Sequence, residues 1–144
     1  MVTRNEIVKY LEEVFAEVSF ADYSYNGLQF EGSDKVSKIA AGVDATNEFF
    51  VEAARQKADF ALVHHGLFWK GAEWCRLDRI NQKIFKNLLA ANLNLYAMHL
   101  PLDAHPKFGN NAVMARLLKA EVIAPFGGSR GNAVGVLARF KTAI

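Results

Sequence analysis

The feature that most constrains the fold is an alternation of short apolar runs with amphipathic segments through the middle of the chain. Residues 37–43, SKIAAGV, suit a strand, and Thr46 can cap a helix over about 47–57. Residues 59–63, DFALV, suit a buried strand. A helix over about 79–91 follows, with Asp78 as its cap and Ile80, Ile84, Leu88 and Leu89 turned inward. Residues 94–98, NLYAM, suit the next strand, NAVMARLLKA over 111–120 a helix, and EVIAP a short strand. Strand–helix–strand alternation at this spacing predicts an α/β fold with a mostly parallel central sheet flanked by helices and right-handed crossovers.

The ends of the chain depart from this pattern. Residues 3–18 predict an amphipathic helix. Thr3 and Glu6 fit a capping box, and Ile7, Val8, Leu11, Val14, Phe15 and Val18 form one apolar face. The stretch ADYSYNGLQFEGSD breaks the periodicity at Asn26-Gly27 and Gly32-Ser33-Asp34, so it reads as loop with a short strand at its centre. The closing NAVGVLARFKTAI reads as a strand of mixed patterning, either an edge strand or part of something longer. The 144 residues suffice for one α/β domain with a core, over 1–144.

Composition excludes some classes. No apolar run approaches the roughly 18 residues of a membrane span. The acidic, amphipathic start differs from a signal peptide, so a cytoplasmic protein is expected. The single cysteine, Cys75, cannot form an internal disulfide and has no patterned base partner. A net charge of +2 is too small to imply nucleic-acid or membrane binding. Arg76, Arg79, Lys83 and Lys86 share one helical face, which reads as a solvated face or else as a nucleotide or nucleic-acid contact. There is neither a P-loop nor a GxSxG elbow.

Ligands of open α/β sheets bind beyond the carboxyl ends of the strands. One predicted strand runs into His64-His65-Gly66, and the next into HLPLDAH, with His99, Asp103 and His105. All four histidines and one aspartate therefore fall after two consecutive strands. Imidazole and carboxylate together suit zinc, iron, manganese or nickel better than calcium. A lone histidine after a strand is commonly a satisfied core or loop residue, and that reading stays open beside the metal one. Neighbours on a strand point to opposite faces. His64 and His65 could meet if the chain twists at Gly66, or each could serve a different ion of a pair about 3.5–4 Å apart. Pro101 is expected to keep His99-Leu100 extended and to end the strand. Phe68, Trp69 and Trp74 read as core or interface rather than substrate stacking. Asp44, in AGVDAT, is a weaker candidate for hydrogen bonding in the same cleft.

YNGLQFEG, GVDAT, VHHGLFWKG and HLPLDAHPKFGNNA occur in that order. Together they resemble the amino-terminal half of the Nif-three-like family, the dinuclear metal centre proteins also called type 2 homologues of GTP cyclohydrolase 1. The resemblance implies the family's amino-terminal α/β lobe and a pair of divalent metal ions. Its HHG histidines fall on His64 and His65, one for each metal, and its HLPLD aspartate on Asp103, at the metal served by His65. His99 and His105 belong to the motif as neighbours of the ligands or pocket residues. The resemblance also implies a homohexamer with metal sites facing an interior cavity. Family members carry a second lobe whose HxxxE motif completes both metals. No histidine follows His105 here, so the 144 residues are expected to be the first lobe of a longer protein.

Two functions follow from this reading. One is a metal-dependent hydrolase that activates water against a nucleotide-like substrate, as the family label suggests for GTP. The other is a non-catalytic metal-binding assembly or regulatory module that contacts protein or nucleic acid.

Overall fold

The alternation appears in a computed structural model as a four-stranded sheet with helices built around it. Residues 1–16, 18, 20–71, 77–128 and 133–142 are described; of Ile80 only the backbone is. Trp74, Cys75 and Arg76 lie outside the described residues, as does the side chain of Ile80. The chain divides into two compact units, Met1–Val14 with Asp22–His99, and Phe15–Ala21 with Leu100–Ile144.

The elements of the first unit are β1 (Val2–Thr3), α1 (Arg4–Phe15, reaching the boundary), β2 (Gly27–Phe30), β3 (Lys35–Val36), β4 (Ile39–Asp44), α2 (Asn47–Arg55), β5 (Phe60–His65), α3 (Arg79–Ala91) and β6 (Asn94–Ala97). Strand order in the main sheet is β2-β6-β5-β4. β4, β5 and β6 run parallel, and β2 joins β6 antiparallel. The predicted parallel sheet is present, and the short strand predicted inside the YNGLQF loop is its antiparallel edge.

Local chemistry accounts for the helix starts. Thr3 and Glu6 close their capping box, with Thr3 N donating to Glu6 Oε2 at 2.8 Å and Glu6 N to Thr3 Oγ1 at 3.2 Å. Phe49 N donates to Thr46 Oγ1 at 3.1 Å, and Asn81 N to Asp78 Oδ1 at 3.0 Å. α3 ends where Asn92 turns left-handed at φ 48°, while Leu93 N reaches back to Leu88 O. α1 is shorter than its apolar pattern, and none of its residues is buried. Ile7 and Leu11 instead line an open groove with Phe60 and Leu62.

The core lies between the sheet and α2–α3. Phe50, Ala53, Ile84 and Leu88 pack with Ala61, Val63, Leu95 and Ala97. Burial of a side chain such as Leu88 contributes roughly 2 kcal/mol. Leu89 departs from expectation: it is 67% exposed. Helical spacing put both Leu88 and Leu89 near the inner stripe, but 100° of rotation per residue lets only Leu88 enter.

Buried polar groups tie the amino ends of the strands together. Asn94 is fully buried; its Oδ1 accepts from Gly32 N at 2.8 Å, and its Nδ2 donates to Ser33 O at 2.7 Å and Asp59 O at 2.9 Å. Asp59 Oδ2 accepts from Ser37 N at 2.8 Å, Lys38 N at 3.0 Å and Ser37 Oγ at 3.0 Å. The Ser37 backbone N–H is the largest cause holding this carboxyl below its usual 3.8. Its stabilisation is therefore complete above the unfolded value and lost as pH falls through the lower folded value. We expect Asp59→Asn to cost about 1–3 kcal/mol at neutral pH and to flatten the fall in stability below about pH 4, read from urea unfolding across the acid range.

The second unit contains α4 (Leu100–Asp103), α5 (Asn110–Leu117), β7 (Glu121–Phe126) and β8 (Gly135–Arg139). β7 and β8 form an antiparallel hairpin, and α5 packs on both strands. The closing segment thus pairs with EVIAPF as an edge strand. Met114, Leu117, Val122, Ile123, Phe126 and Leu137 are exposed here. β6 ends at Ala97, before Pro101 is reached, and Pro101 lies inside a helical turn that already includes Leu100, the residue expected to be extended. Among the described residues no helix is long and apolar enough to cross a membrane.

Candidate metal centre

Parallel pairing brings the carboxyl ends of β4, β5 and β6 to one edge of the sheet. Asp44 lies opposite His65, Val63 lies opposite Ala97, and Met98 N extends the ladder to Val63 O at 3.0 Å. His64, His65 and His99 emerge there. One ring nitrogen of each lies within 4.8 Å of one from each of the others. Ring centroids are 4.5 Å apart for His64–His65, 4.9 Å for His64–His99 and 5.5 Å for His65–His99. The adjacent pair therefore does meet, although neighbours within a regular strand face opposite ways. The β5–β6 register stops at Val63, so His64 and His65 stand past the last paired residue of that ladder.

Gly66 takes part differently from the twist expected of it: its φ is not in the left-handed region. A Cβ there would strike the Gln29 side-chain amide and lie 2.6 Å from Ala97 Cβ. Gln29 needs that space. Its Oε1 accepts from Leu67 N at 2.8 Å and Phe68 N at 3.3 Å, and its Nε2 donates to Tyr25 O at 2.6 Å. A register shift in β2 between Leu28 and Phe30 accompanies this placement. The YNGLQ segment is thus the clamp on the HHGLF turn, a partnership that separation in sequence had hidden.

Each of these three histidines presents Nδ1 to an acceptor. His64 Nδ1 lies 3.0 Å from Met98 O, His65 Nδ1 2.6 Å from Asp44 Oδ1, and His99 Nδ1 2.9 Å from Asp22 Oδ1. A neutral ring that donates from Nδ1 carries its lone pair on Nε2, the form in which imidazole ligates a metal. Asp44, the weaker candidate in the sequence, is the group that orients His65. Asp22 carried no sequence signal. Trp69, read as core or interface, is half-buried beside the cluster, 5.0 Å from the His99 ring edge-on and 6.1 Å from that of His65.

This donor set fits one divalent ion. Three imidazoles are the protein share of many open zinc sites, where metal–nitrogen bonds are about 2.0–2.1 Å. They suit late first-row metals better than magnesium or calcium. A pair of ions needs further, anionic ligands.

The remaining predicted residues lie in the second unit. Asp103 ends α4, and its Oδ1 accepts from Asn110 Nδ2 at 2.6 Å. His105 is buried; its Nδ1 accepts from Lys107 N and Phe108 N, both at 3.1 Å, and its ring meets Phe15 edge-on at 5.5 Å. That environment marks His105 as a residue that shapes the turn before α5.

The model of the Duf34/NIF3 (NGG1p interacting factor 3) family matches residues 2–144. The chain belongs to this family. It is 43% identical over 137 residues to the "GTP cyclohydrolase 1 type 2 homolog" of Pyrococcus horikoshii, covering 95% of this chain and 54% of that protein. The protein of the same name from Archaeoglobus fulgidus is 44% identical over 138 residues, 96% of this chain and 56% of the relative. The crystal structure of TTHA1606 from Thermus thermophilus superposes with a TM-score of 0.81 at 36% identity, over 94% of this chain and 53% of that one. The chain spans about half the length of the family members it matches. The Nif-three-like resemblance and the α/β fold are both borne out.

Proposed function

We propose that the chain is the first lobe of a metal-dependent hydrolase acting on a nucleotide-like substrate. The observation that supports this is the convergence of His64, His65 and His99, each with Nδ1 on an acceptor. The names of the relatives direct attention to GTP. In this reading His64 and His65 hold the metal, and the family motif adds Asp103 as a carboxylate ligand. Asp44 keeps the His65 ring turned, and Trp69 gives the site one flat apolar wall. A bound divalent ion would supply Lewis acidity and bring the pKa of a coordinated water toward neutrality. The family pattern completes a second ion with an HxxxE histidine and glutamate, and no histidine follows His105 in these residues. One ion per 144-residue chain, bound more weakly than in a longer relative, is the expected stoichiometry. Self-association toward a homohexamer and a cytoplasmic location belong to the same proposal. The exposed apolar residues of the β7–β8 hairpin support association.

A second reading has its own support. Arg79, Lys83 and Lys86 are all exposed on α3, which contains no acidic residue. They suit a non-catalytic module that contacts an anionic protein or nucleic acid.

Metal analysis after dialysis, followed by GTP turnover assays with zinc, iron, manganese or nickel, separates the readings. Turnover that requires the metal and stops on chelation or on His65→Ala supports the hydrolase. Metal bound with no turnover by this chain or by a full-length relative counts against it. Salt-dependent nucleic-acid binding lost on neutralising Arg79, Lys83 and Lys86 favours the module.

A further inference from the structure

We propose that His99 is itself a metal ligand and that buried Asp22, seated by Asn26, is the residue that positions it. The inference rests on the metal reading above and adds to it a ligand that the motif did not assign and a positioning residue.

The two carboxylates that face the cluster are in different states. Asp44, on His65, has 60% of its side chain exposed, where water competes for its hydrogen bond. Asp22, on His99, has 2% exposed. A carboxylate this deeply buried is costly unless every oxygen is engaged. Here Oδ1 also accepts from Ser24 N at 2.9 Å, and Oδ2 accepts from Asn26 Nδ2 at 2.9 Å. The same Asn26 turns its Oδ1 to His99 N at 2.7 Å. The His99 backbone and ring are thus gripped by one two-residue device, whose own loop is fastened by Lys70 Nζ on Asp22 O at 2.8 Å and Lys70 N on Tyr23 O at 2.6 Å.

Gripping both backbone and ring fixes the position of Nε2, which a ligand requires. With His64 and His65 this makes a three-imidazole set drawn from one unit, favouring zinc, cobalt or nickel over magnesium or calcium.

The test is a double-mutant cycle on the full chain with cobalt(II) alone as probe. Affinity is read by calorimetry and geometry by the cobalt absorption bands. Asp22→Asn keeps an acceptor but loses the charge. It should weaken cobalt binding about 10–100-fold and shift the bands. Asp44→Asn should cost less, since its carboxylate is solvated. His99→Ala should weaken binding at least as much as Asp22→Asn, and adding Asp22→Asn to His99→Ala should cost nothing more. Asn26→Ala is the second variant. It loses the bond to the His99 backbone and the one that seats Asp22 and, should Asp22→Asn fail to fold, must weaken cobalt binding and be silent on His99→Ala. If His99→Ala leaves affinity and bands unchanged while His65→Ala removes both, His99 is no ligand; the inference falls and the metal reading stands. Equal losses from Asp22→Asn with and without His99 show that Asp22 acts through the fold, which also overturns it. An unaltered chain that binds no cobalt overturns the metal reading, and this inference with it.

Discussion

Replacing Gly66 with alanine should destabilise the protein by about 3 kcal/mol and disturb the histidine cluster together with the fold. A Cβ at this position collides with the Gln29 amide and stands 2.6 Å from Ala97 Cβ. The Gln29 end could swing away, but Ala97 Cβ is fixed by its backbone within a fully buried strand. Overpacking of a rigid neighbour typically costs about 1–3 kcal/mol, and each hydrogen bond that Gln29 gives up adds about 1 kcal/mol. Urea unfolding measures the loss. A change below about 0.5 kcal/mol would mean that the turn has room the structure denies.

Replacing His65 with alanine should have the opposite profile, with little change in stability and a large loss of metal. Its side chain is 41% exposed, so truncation leaves no cavity. Four-ligand zinc sites bind with roughly 10–16 kcal/mol, or about 3 kcal/mol per ligand, which is a loss on the order of a hundredfold. His105→Ala should do the reverse. Its ring is buried and accepts two backbone N–H groups, so its loss should cost about 2 kcal/mol of stability. Metal affinity in the folded protein should hardly change. Calorimetric metal titration and thermal unfolding of both variants read the contrast, and equal metal losses from the two would contradict the assignment.

The parts of the fold that were legible in the sequence are those governed by local rules. The boundaries of α3 follow from Asp78, the apolar period and Asn92, all within the segment. β4, β5 and β6 follow from apolar runs with turns between them. His64 and His65 were visible because two adjacent imidazoles after a strand are an unusual use of residues. What stayed hidden is non-local. Asp22 gives no local sign of its function, because its partner His99 lies 77 residues on. Gln29 reads as an ordinary polar position until β2 pairs with β6 and turns it toward Leu67. The meeting of His64 with His65 is a matter of side-chain placement at a strand end, which no period-two pattern records. Leu89 shows the converse error, an apolar residue at a plausible spacing that the helix leaves outside.

The antiparallel edge strand β2 has a further consequence. It is a four-residue strand at the border of the sheet, the kind of element that frays first. Yet the loop entering it carries Asp22 and Asn26, and its own Gln29 holds the histidine turn. Fraying of β2 is therefore expected to loosen the grip on His99. A ligand that selects the oriented imidazole draws the edge strand into place by mass action, and loss of the edge strand lowers the affinity of the cluster by the same free energy. A short edge strand thus acts as the latch of the histidine cluster.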